Sequence, residues 1–515
     1  MAKLFNQVRI KKQKRNVFDL GHERKFSMNM GDLVPILCEE VIPGDTFKMN
    51  SEVFLRMAPL VAPIMHRVNV YTHFFFVPNR LIWQDWEKFI TGGENGNELP
   101  IRPFGRIASS NYQSYGKGSL ADYLGVSVFQ EPQVPVEYNA LPFRAYQLIY
   151  NEYYRDQNLE SPIIIRKTSG LLDANEYEAT RVIRKRAWEK DYFTSALPWT
   201  QRGGDVHLPL SGEADIMFKE GGQTFTKFAD GTIRPNVQTF QSFGNGELEE
   251  TQGDAFTLDN SSSLQADLTS ATASTIEELR RATKLQQWLE RNARTGSRYI
   301  EQILAHFGVR SSDARLQRPE FLGGGKSPVT ISEVLQTSST DTTSPQANMA
   351  GHAISVGSSH TFKKFFEEHG YVIGIMSILP KTAYMQGTRR HFYKSDKFDY
   401  YWPEFAQLGE QPVYKGELWS DFDGDDLETF GYQSRYAEYK FIPSTVHGDF
   451  KDNLDHWHMS RKFANEPALN EQFIKADPTQ RVFAVTDPNY PKVYVQLYNN
   501  LKAIRPIPYF NTPML

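Results

Sequence analysis

The segment FLGGGKS at residues 321–327 contains the residue types closest to a phosphate-binding loop. Gly325, Lys326 and Ser327 match the end of that motif. The motif also needs a glycine five residues before Gly325, where Glu320 stands, and a helix directly after the loop, where Pro328 stands. The spacing therefore excludes a nucleotide-binding loop here.

An acidic run is the nearest approach to a metal site. Asp421, Asp423 and Asp425 offer oxygens at alternate positions, as a calcium loop does. The sixth position of the loop is Asp426 where glycine is required, and the twelfth is Tyr432 where glutamate is required. A solvated acidic loop is favoured, and an adventitious cation site stays open as the alternative.

No other residues form a catalytic pattern. His456 with His458, and His352 with His360, have no carboxylate or cysteine partner at metal spacing, so they are interpreted as structural or surface residues. The single cysteine, Cys38, is interpreted as a small buried hydrophobe and excludes an intrachain disulfide. Since no nucleophile, zinc or dinucleotide motif occurs, the sequence predicts neither an enzyme nor a bound cofactor or metal.

The N-terminus carries a cluster of positive charge, although the net charge of the chain is only −4. The first 15 residues contain six cations and no acid. Such an arm neutralises phosphates without reading sequence, and a solvated tail is an equal alternative. The candidate nucleic-acid-binding residues are Lys3, Arg9, Lys11, Lys12, Lys14 and Arg15.

The sequence predicts neither membrane insertion nor secretion. No run approaches the roughly 18 apolar residues that a membrane span needs. The basic start MAKLFNQVRIKKQKR has no apolar stretch behind it. We therefore expect an intracellular, soluble protein.

Residues 68–77 (VNVYTHFFFV) are the strongest structural signal in the chain. They begin in strict alternation and end in a continuous apolar run, which is typical of a central strand covered on both faces. Pro78 ends the strand, and RLIWQDWEKFI predicts an aromatic amphipathic helix over 80–90. This strand and the start of the helix belong to the segment 41–86, around which we expect the fold to be organised.

The remaining elements lie on either side of a long insertion. Strands are predicted within 33–56 and helices over 143–159, 275–294 and 298–307. Strands at both ends of the chain favour an antiparallel sandwich in which late strands pair with early ones. The late strands are predicted over 371–379, 435–443, 481–486 and 492–497.

Four regions follow from this pattern. Residues 1–30 form a basic N-terminal arm, and 31–202 form the first part of the sandwich with loops and helices. The Gly-rich, polar stretch 203–273 is interpreted as a surface insertion, and 274–515 supply further helices, the remaining strands and a C-terminal tail.

Six motifs occur in an order that resembles the major capsid proteins of the Microviridae, and most closely their gokushovirus-like branch. The resemblance extends from about Phe18 to the end, RPIPYFNTPML. The motifs are VIPGDTF, HFFFVPNRLIWQDWEKFI, LPFRAYQLIYNEYYRDQNL, FGVRSSDARLQRPEFLGG, EHGYVIGIMSILPKTAYMQG and YYWPEFAQLGEQPVYKGELW.

The resemblance implies a mainly β protein, an eight-stranded antiparallel jelly-roll sandwich with long loop insertions and a few helices. It implies assembly into a T=1 icosahedral virion around circular single-stranded DNA in the host cytoplasm. The arm then faces the interior, and 203–273 matches the place of a threefold protrusion that contacts a host receptor. Further expected partners are a DNA pilot protein, an internal scaffold and a small DNA-binding peptide.

Two alternatives stay open. Arg389 and Arg390, beside His391, Phe392 and Tyr393, either stack on unpaired bases or form a subunit interface. The rival function for the whole chain is a jelly-roll carbohydrate-binding or polysaccharide-active protein.

Overall fold

The chain forms two compact units, residues 1–200 with 295–515, and residues 201–294. The computed structural model describes residues 14–94, 96–126, 128, 130–204, 206, 276–296, 298–337, 349–357, 361–422 and 424–510. Between 215 and 267 it describes the backbone of seven short strands.

The chain contains 22 described strands, β1 to β22 in chain order. Those before the second unit are β1 Asn16–Asp19, β2 His22–Met28, β3 Val34–Val41, β4 Thr46–Met57, β5 Val68–Pro78, β6 Phe104–Ile107 and β7 Val136–Asn139. Those of the second unit are β8 Asp215–Phe218, β9 Phe225–Phe228, β10 Ile233–Pro235, β11 Phe240–Ser242, β12 Leu248–Glu250, β13 Phe256–Leu258 and β14 Leu264–Asp267. Those after it are β15 Glu320–Pro328, β16 Thr330–Leu335, β17 Met349–Gly357, β18 Phe362–Phe365, β19 Gly370–Pro380, β20 Glu410–Tyr414, β21 Thr429–Ser434 and β22 Val493–Arg505.

The helices are short, apart from one in the second unit. They are α1 Asn79–Ile82, α2 Trp86–Thr91, α3 Leu120–Leu124, α4 Leu141–Ile149, α5 Ala174–Thr180, α6 Ile276–Thr295, α7 Tyr299–Phe307 and α8 Glu471–Ile474. A π-helical turn, Tyr150–Tyr154, continues α4. Short 3-10 turns cover Tyr112–Tyr115, Arg390–Phe392, Lys397–Asp399, Pro403–Phe405, Lys415–Glu417, Ala437–Tyr439, Gly448–Lys451 and Asp455–Trp457.

Two antiparallel sheets form the centre of the first unit. A four-stranded sheet has the order β15-β5-β19-β3. A seven-stranded sheet has the path β1-β22-β4-β17-β16, with β18 paired to β4 and β2 paired to β22. The last strand, β22, pairs with β4 along its length, from Val493 opposite Met57 to Ile504 opposite Thr46. The predicted pairing of late strands with early ones is confirmed, and the fold is mainly β, consistent with a β-sandwich.

The predicted central strand is confirmed as β5, between β15 and β19. Its side chains alternate between two cores. Phe74 and Phe76 belong to the core that also contains residues of the seven-stranded sheet, such as Leu55 and Leu497. Phe75 and Val77 belong to a second core with residues of α1, α3 and α4. The continuous apolar run therefore reflects a sheet that is covered on both faces.

The helix predicted over 80–90 is divided into α1 and α2. Trp83 has an extended backbone, with φ −146° and ψ 117°. Its side chain is buried, and its indole N–H donates to Ser169 Oγ at 2.8 Å. The burial of this large ring pulls the chain out of helical geometry, and Phe89 and Ile90 in the second piece are partly exposed. The helix predicted over 143–159 is confirmed as far as Tyr154, with Tyr146 and Ile149 in the core, and it ends where Arg155 becomes extended.

Two of the predicted late strands are wrong. In 435–443, Tyr436 has φ +61° and leads into the 3-10 turn Ala437–Tyr439, so the alternating pattern reflects a turn. In 481–486, the Phe483 N–H donates to the Gln480 carbonyl oxygen at 3.1 Å, so the segment begins in a turn, and Phe483 forms an isolated bridge with Leu60. The other two, 371–379 and 492–497, are confirmed as β19 and β22.

Within the predicted arm 1–30, β1 and β2 pair with β22. The part of the arm before the sheet is therefore residues 1–15. Proline is found at the sheet edge, as expected: Pro35 lies in the edge strand β3, at an irregularity in its pairing with β19.

The second unit has small antiparallel pairings and one long helix. β10-β9-β13 form a three-stranded sheet, and β11 with β12 and β14 with β8 form two pairs. The predicted helix over 275–294 is confirmed as α6, although Leu279 and Leu285 of its predicted apolar stripe are exposed. The interpretation of 203–273 as a surface insertion stays a prediction.

Candidate assembly and nucleic-acid surfaces

The basic arm meets the seven-stranded sheet at Arg15. Of the six predicted arm residues, Lys14 and Arg15 are described, and both are exposed. The Arg15 guanidinium carbon lies 5.1 Å from the ring centroid of Phe365 in β18. Lys3, Arg9, Lys11 and Lys12 lie outside the described residues. The structure therefore fixes where the arm enters the sheet.

A contiguous set of apolar side chains lies exposed on the loops around β20 and β21. We call this set the aromatic surface, and its members are between 41% and 78% exposed. Its rings contact one another and buried neighbours. The ring centroid of Tyr401 lies 5.2 Å from that of Tyr436 and 6.3 Å from that of Tyr439. The aromatic surface consists of Phe398, Tyr400, Tyr401, Tyr439, Phe441 and Ile442.

A small core beneath holds the aromatic surface in place. It combines residues from distant parts of the chain, including Phe193, Tyr384, Val413 and Phe430. Its centre is tightly packed, with the rings of Phe193 and Tyr384 4.8 Å apart. The loops that carry the exposed rings are thus fixed by the fold, and surface patches of this kind mark protein–protein contacts.

A cavity of about 300 Å³ opens between the aromatic surface and the predicted arginine pair. Inside it, Arg390 forms an ion pair with Glu417 at 3.0 Å, and its guanidinium carbon lies 3.8 Å from the centroid of Tyr414. Burial disfavours the charge of Arg390, but Glu417 outweighs that effect and raises its pKa. Arg390 is therefore engaged within the protein.

Lys394, which also lines the cavity, is paired as well. Lys394 lies 3.2 Å from Glu438 and 4.2 Å from the centroid of Tyr439. With Arg390 and Lys394 both in ion pairs, only Arg389, His391 and Phe392 of the predicted base-stacking group point into solvent. The base-stacking and subunit-interface interpretations of that group both stay predictions.

The acidic run does form a group of carboxylates. One oxygen each from Asp421, Asp425 and Asp426 lies within 4.8 Å of the others, while Asp423 lies outside the described residues. Lys415 is close by, 3.3 Å from Asp425 and 2.8 Å from Glu428. Hydrogen bonds to these carboxylates raise the pKa of Lys415. This ammonium group already balances part of the negative charge.

The segment FLGGGKS is part of strand β15 and not a loop. A Cβ on Gly324 would come within 2.4 Å of the Thr72 carbonyl oxygen, so close approach to β5 explains the glycine. Lys326 pairs with Glu189 at 3.3 Å. The rejection of a phosphate-binding loop is confirmed.

The cysteine and one predicted histidine have structural surroundings. Cys38 packs against the second core, and burial raises the pKa of its thiol to about 12. His458 is buried; its Nε2 lies 2.7 Å from the Phe450 carbonyl oxygen, and its Nδ1 accepts from the Ser460 N–H. His360 lies outside the described residues. Neither Cys38 nor His458 is placed for catalysis.

The described part of the chain contains no helix that is both long and apolar enough to cross a membrane.

Comparison with known proteins identifies the family. The family described as capsid protein (F protein) matches residues 6–515. Capsid protein VP1 of Chlamydia phage 1 is 37% identical, covering 100% of this chain and 98% of its own. Capsid protein VP1 of Bdellovibrio phage phiMH2K is 37% identical over 97% of this chain and 95% of its own.

A third relative, capsid protein VP1 of Spiroplasma virus 4, is 33% identical over 97% of this chain and 95% of its own. These relatives are structural capsid proteins and not enzymes. The chain accordingly belongs to the capsid protein (F protein) family and is a structural major capsid protein of the Microviridae.

Proposed function

We propose that copies of this capsid protein assemble in the host cytoplasm into a small T=1 icosahedral shell around circular single-stranded DNA. The observation that carries this proposal is the aromatic surface, because clustered exposed apolar side chains mark sites of protein–protein contact. The partner proposed for it is a second copy of the chain. An eight-stranded jelly roll is proposed for the two-sheet core of each subunit.

The test is the size of the particles and the DNA they protect. The wild-type chain, expressed with its genome, should give megadalton particles that protect DNA from nuclease. A monomer or dimer on gel filtration, with no protected DNA, would contradict the proposal.

The aromatic surface can be tested separately by changing Phe441 and Ile442, which are 55% and 78% exposed. The double variant Phe441→Ser, Ile442→Ser should fold but fail to assemble, because it loses apolar contact area at the centre of the interface. Light scattering measures assembly and circular dichroism measures folding. The matched control, Val334→Ser with Leu335→Ser in β16, changes two other exposed neighbours. Normal assembly of the first variant would refute the role of the aromatic surface.

The basic arm is proposed to face the interior and bind the packaged DNA. Its six cations and absence of acids suit a phosphate backbone. Deleting residues 2–15 should reduce the DNA content of the particles, measured by absorbance and by quantitative amplification. An unchanged DNA content in assembled particles would contradict this role.

The segment 203–273 is proposed to form the outer protrusion, at the threefold axes, that contacts the host receptor. Replacing it with a short Gly-Ser linker should leave shells intact and abolish adsorption to host cells, measured by counting unbound particles. Failure of shells to form would show that the segment acts in assembly.

Other proteins are proposed to complete the virion. By resemblance to the family these are a DNA pilot protein, an internal scaffold and a small DNA-binding peptide. Mass spectrometry of purified particles identifies them, and particles containing this chain alone would contradict that part of the proposal.

A further inference from the structure

Three lysines stand in one row across the seven-stranded sheet. Lys48 of β4 lies directly opposite Lys502 of β22 on one side and Lys363 of β18 on the other. All three are exposed. Opposite residues of antiparallel strands have Cα atoms about 5 Å apart, and like charges at such positions destabilise a sheet. We call these three residues the lysine row.

The acids near the lysine row do not cancel it. Asp19 of β1 is opposite Lys502 at one end, and its Oδ1 accepts the N–H of Gly21 at 2.9 Å. Within the described chain, no carboxylate forms an ion pair with Lys48, Lys363 or Lys502. The row is a cost to folding that a polyanionic partner would offset by supplying negative charge along the whole row.

Exposed aromatic rings lie on the same face, farther along the same strands. On β22, Tyr498 and Tyr494 precede Lys502 by four and eight residues. Because side chains alternate along a strand, all three point to the same face. Tyr498 is 36% exposed and Tyr494 is 49% exposed, and Phe54 of β4 is 36% exposed. Arg56 lies opposite Tyr494, with its guanidinium carbon 5.3 Å from the Phe54 centroid.

The dimensions suit a single strand of nucleic acid. From Lys502 to Tyr494 the face extends eight residues, or about 26 Å at roughly 3.3 Å per residue. Aromatic side chains on such a platform stack on unpaired bases, and the cations hold the backbone. Two acids lie beside Tyr498, namely Glu52 opposite it and Glu23 opposite it on β2. Glu23 is paired with Lys25 at 3.4 Å.

The basic arm enters at the lysine end of this face. Arg15 contacts Phe365, which follows Lys363 by two residues and points to the same side. Five further arm cations precede it in the chain, namely Lys3, Arg9, Lys11, Lys12 and Lys14. The described end of the arm, Arg15, therefore lies beside the lysine row.

We propose that the exposed face of the seven-stranded sheet, from the lysine row to Tyr494, binds single-stranded nucleic acid inside the shell. The lysine row binds phosphates, and Tyr498, Tyr494 and Phe54 stack on bases. This assignment rests on the proposed shell around DNA, and it names the fixed surface that continues the arm.

The test uses the full chain and a fluorescent oligo(dT) probe. The triple variant Lys48→Gln, Lys363→Gln, Lys502→Gln should lower the salt slope of binding by about 2, since each phosphate contact on single strands contributes about 0.7. The control triple Lys117→Gln, Lys167→Gln, Lys451→Gln removes the same charge from exposed lysines elsewhere in the first unit. It should leave the slope within about 0.5 of wild type.

The stacking contribution is measured with Tyr494→Ala and Tyr498→Ala. Each should weaken oligo(dT) binding roughly ten- to a hundredfold, with the salt slope unchanged, because stacking releases no counterions. Tyr→Phe at the same positions keeps the ring and should restore binding.

Three results would overturn the inference. One is a salt slope that is unchanged in the lysine-row variant, and another is an equal fall in the control triple. The third is loss of assembly with oligo(dT) binding intact, which would make the face a subunit interface. Failure of the proposed function is distinguishable, because in that case the wild-type chain itself forms no DNA-filled particles.

Discussion

The two sheets of the first unit differ in what covers them. Every residue of β19 in the four-stranded sheet is buried, because one face meets the seven-stranded sheet and the other meets the helices. In the seven-stranded sheet, β4 alternates between buried and exposed residues. Packing determines the residues of β5 and β19 on both sides. On the second sheet packing determines one side only, and the exposed side is available for binding.

The largest loss of stability should come from a substitution in the sheet that is covered on both faces. Phe75 is 1% exposed and lies 4.7 Å from the Tyr153 ring centroid. Phe75→Ala should lower the free energy of unfolding by about 3–5 kcal/mol, because it leaves a cavity in the second core. Phe54→Ala, at a 36% exposed position in β4, should cost about 0.5 kcal/mol. Urea denaturation of the full chain measures both free energies of unfolding. Equal losses from the two substitutions would contradict the difference between the two sheets.

An intermediate effect should come from the connection between the two sheets. His66 lies between β4 and β5, and its Nε2 is 2.6 Å from the Lys381 carbonyl oxygen. Burial lowers its pKa from 6.5 to about 4. The folded state therefore keeps His66 neutral where the unfolded chain binds a proton. Stability should be unaffected by His66 above pH 6.5 and fall by about 1–3 kcal/mol between pH 6.5 and 4.

The pH dependence is checked by thermal denaturation of His66→Gln and of the exposed-site control His447→Gln. The first variant should flatten the curve between pH 6.5 and 4, and the control should not. Glu189 contributes at lower pH, since contacts with Tyr71 and Lys381 hold its pKa at about 2. A His66→Gln curve that is as steep as wild type would show that another group is responsible.

The smallest effect should have the opposite sign. Lys48→Gln removes the middle charge of the lysine row and should raise the free energy of unfolding of the full chain by about 0.2–1 kcal/mol. Lys25→Gln, which removes the partner of Glu23, should give no such gain. Chemical denaturation at low salt compares the two. Destabilisation by Lys48→Gln would mean that the row is a structural feature, and the contrast between the sheets would lose its functional meaning.

The covered sheet could be predicted from the sequence because its signal is local. A run such as FFFV at 74–77 is stable in water only if both faces are buried, and that requirement identifies a central strand without any knowledge of its partners. Gly296 and Gly308 were similarly sufficient to end α6 and α7, since both adopt positive φ.

The exposed features could not be predicted because they depend on register and on distant contacts. Lys48, Lys363 and Lys502 are far apart in the chain, and only the pairing of β4 with β22 and β18 makes them neighbours. The aromatic surface was missed for a related reason. Tyr439, Phe441 and Ile442 lie in RYAEYKFIP, whose alternation predicted a strand. For Phe398, Tyr400 and Tyr401 the signal was the density of rings in FDYYWPEF at 398–405.

The failed strand predictions have the same origin. RYAEYKFIP has strand-like alternation, but Tyr436 is held by a hydrogen bond from its N–H to the Gln411 side chain at 2.8 Å. That contact with β20 stabilises a left-handed residue at the start of a turn. The ion pair of Arg390 could not be predicted for the same reason, because its partner Glu417 is 27 residues away in the chain.

The orientation of the seven-stranded sheet in the assembled particle tests the central claim most directly. A cryo-electron microscopy map of DNA-filled particles gives this orientation for every subunit. The exposed face with Lys48, Tyr494 and Tyr498 should line the interior, in contact with density that the protein does not account for. A map in which this face points outward, or is buried against a neighbouring subunit, would contradict the account.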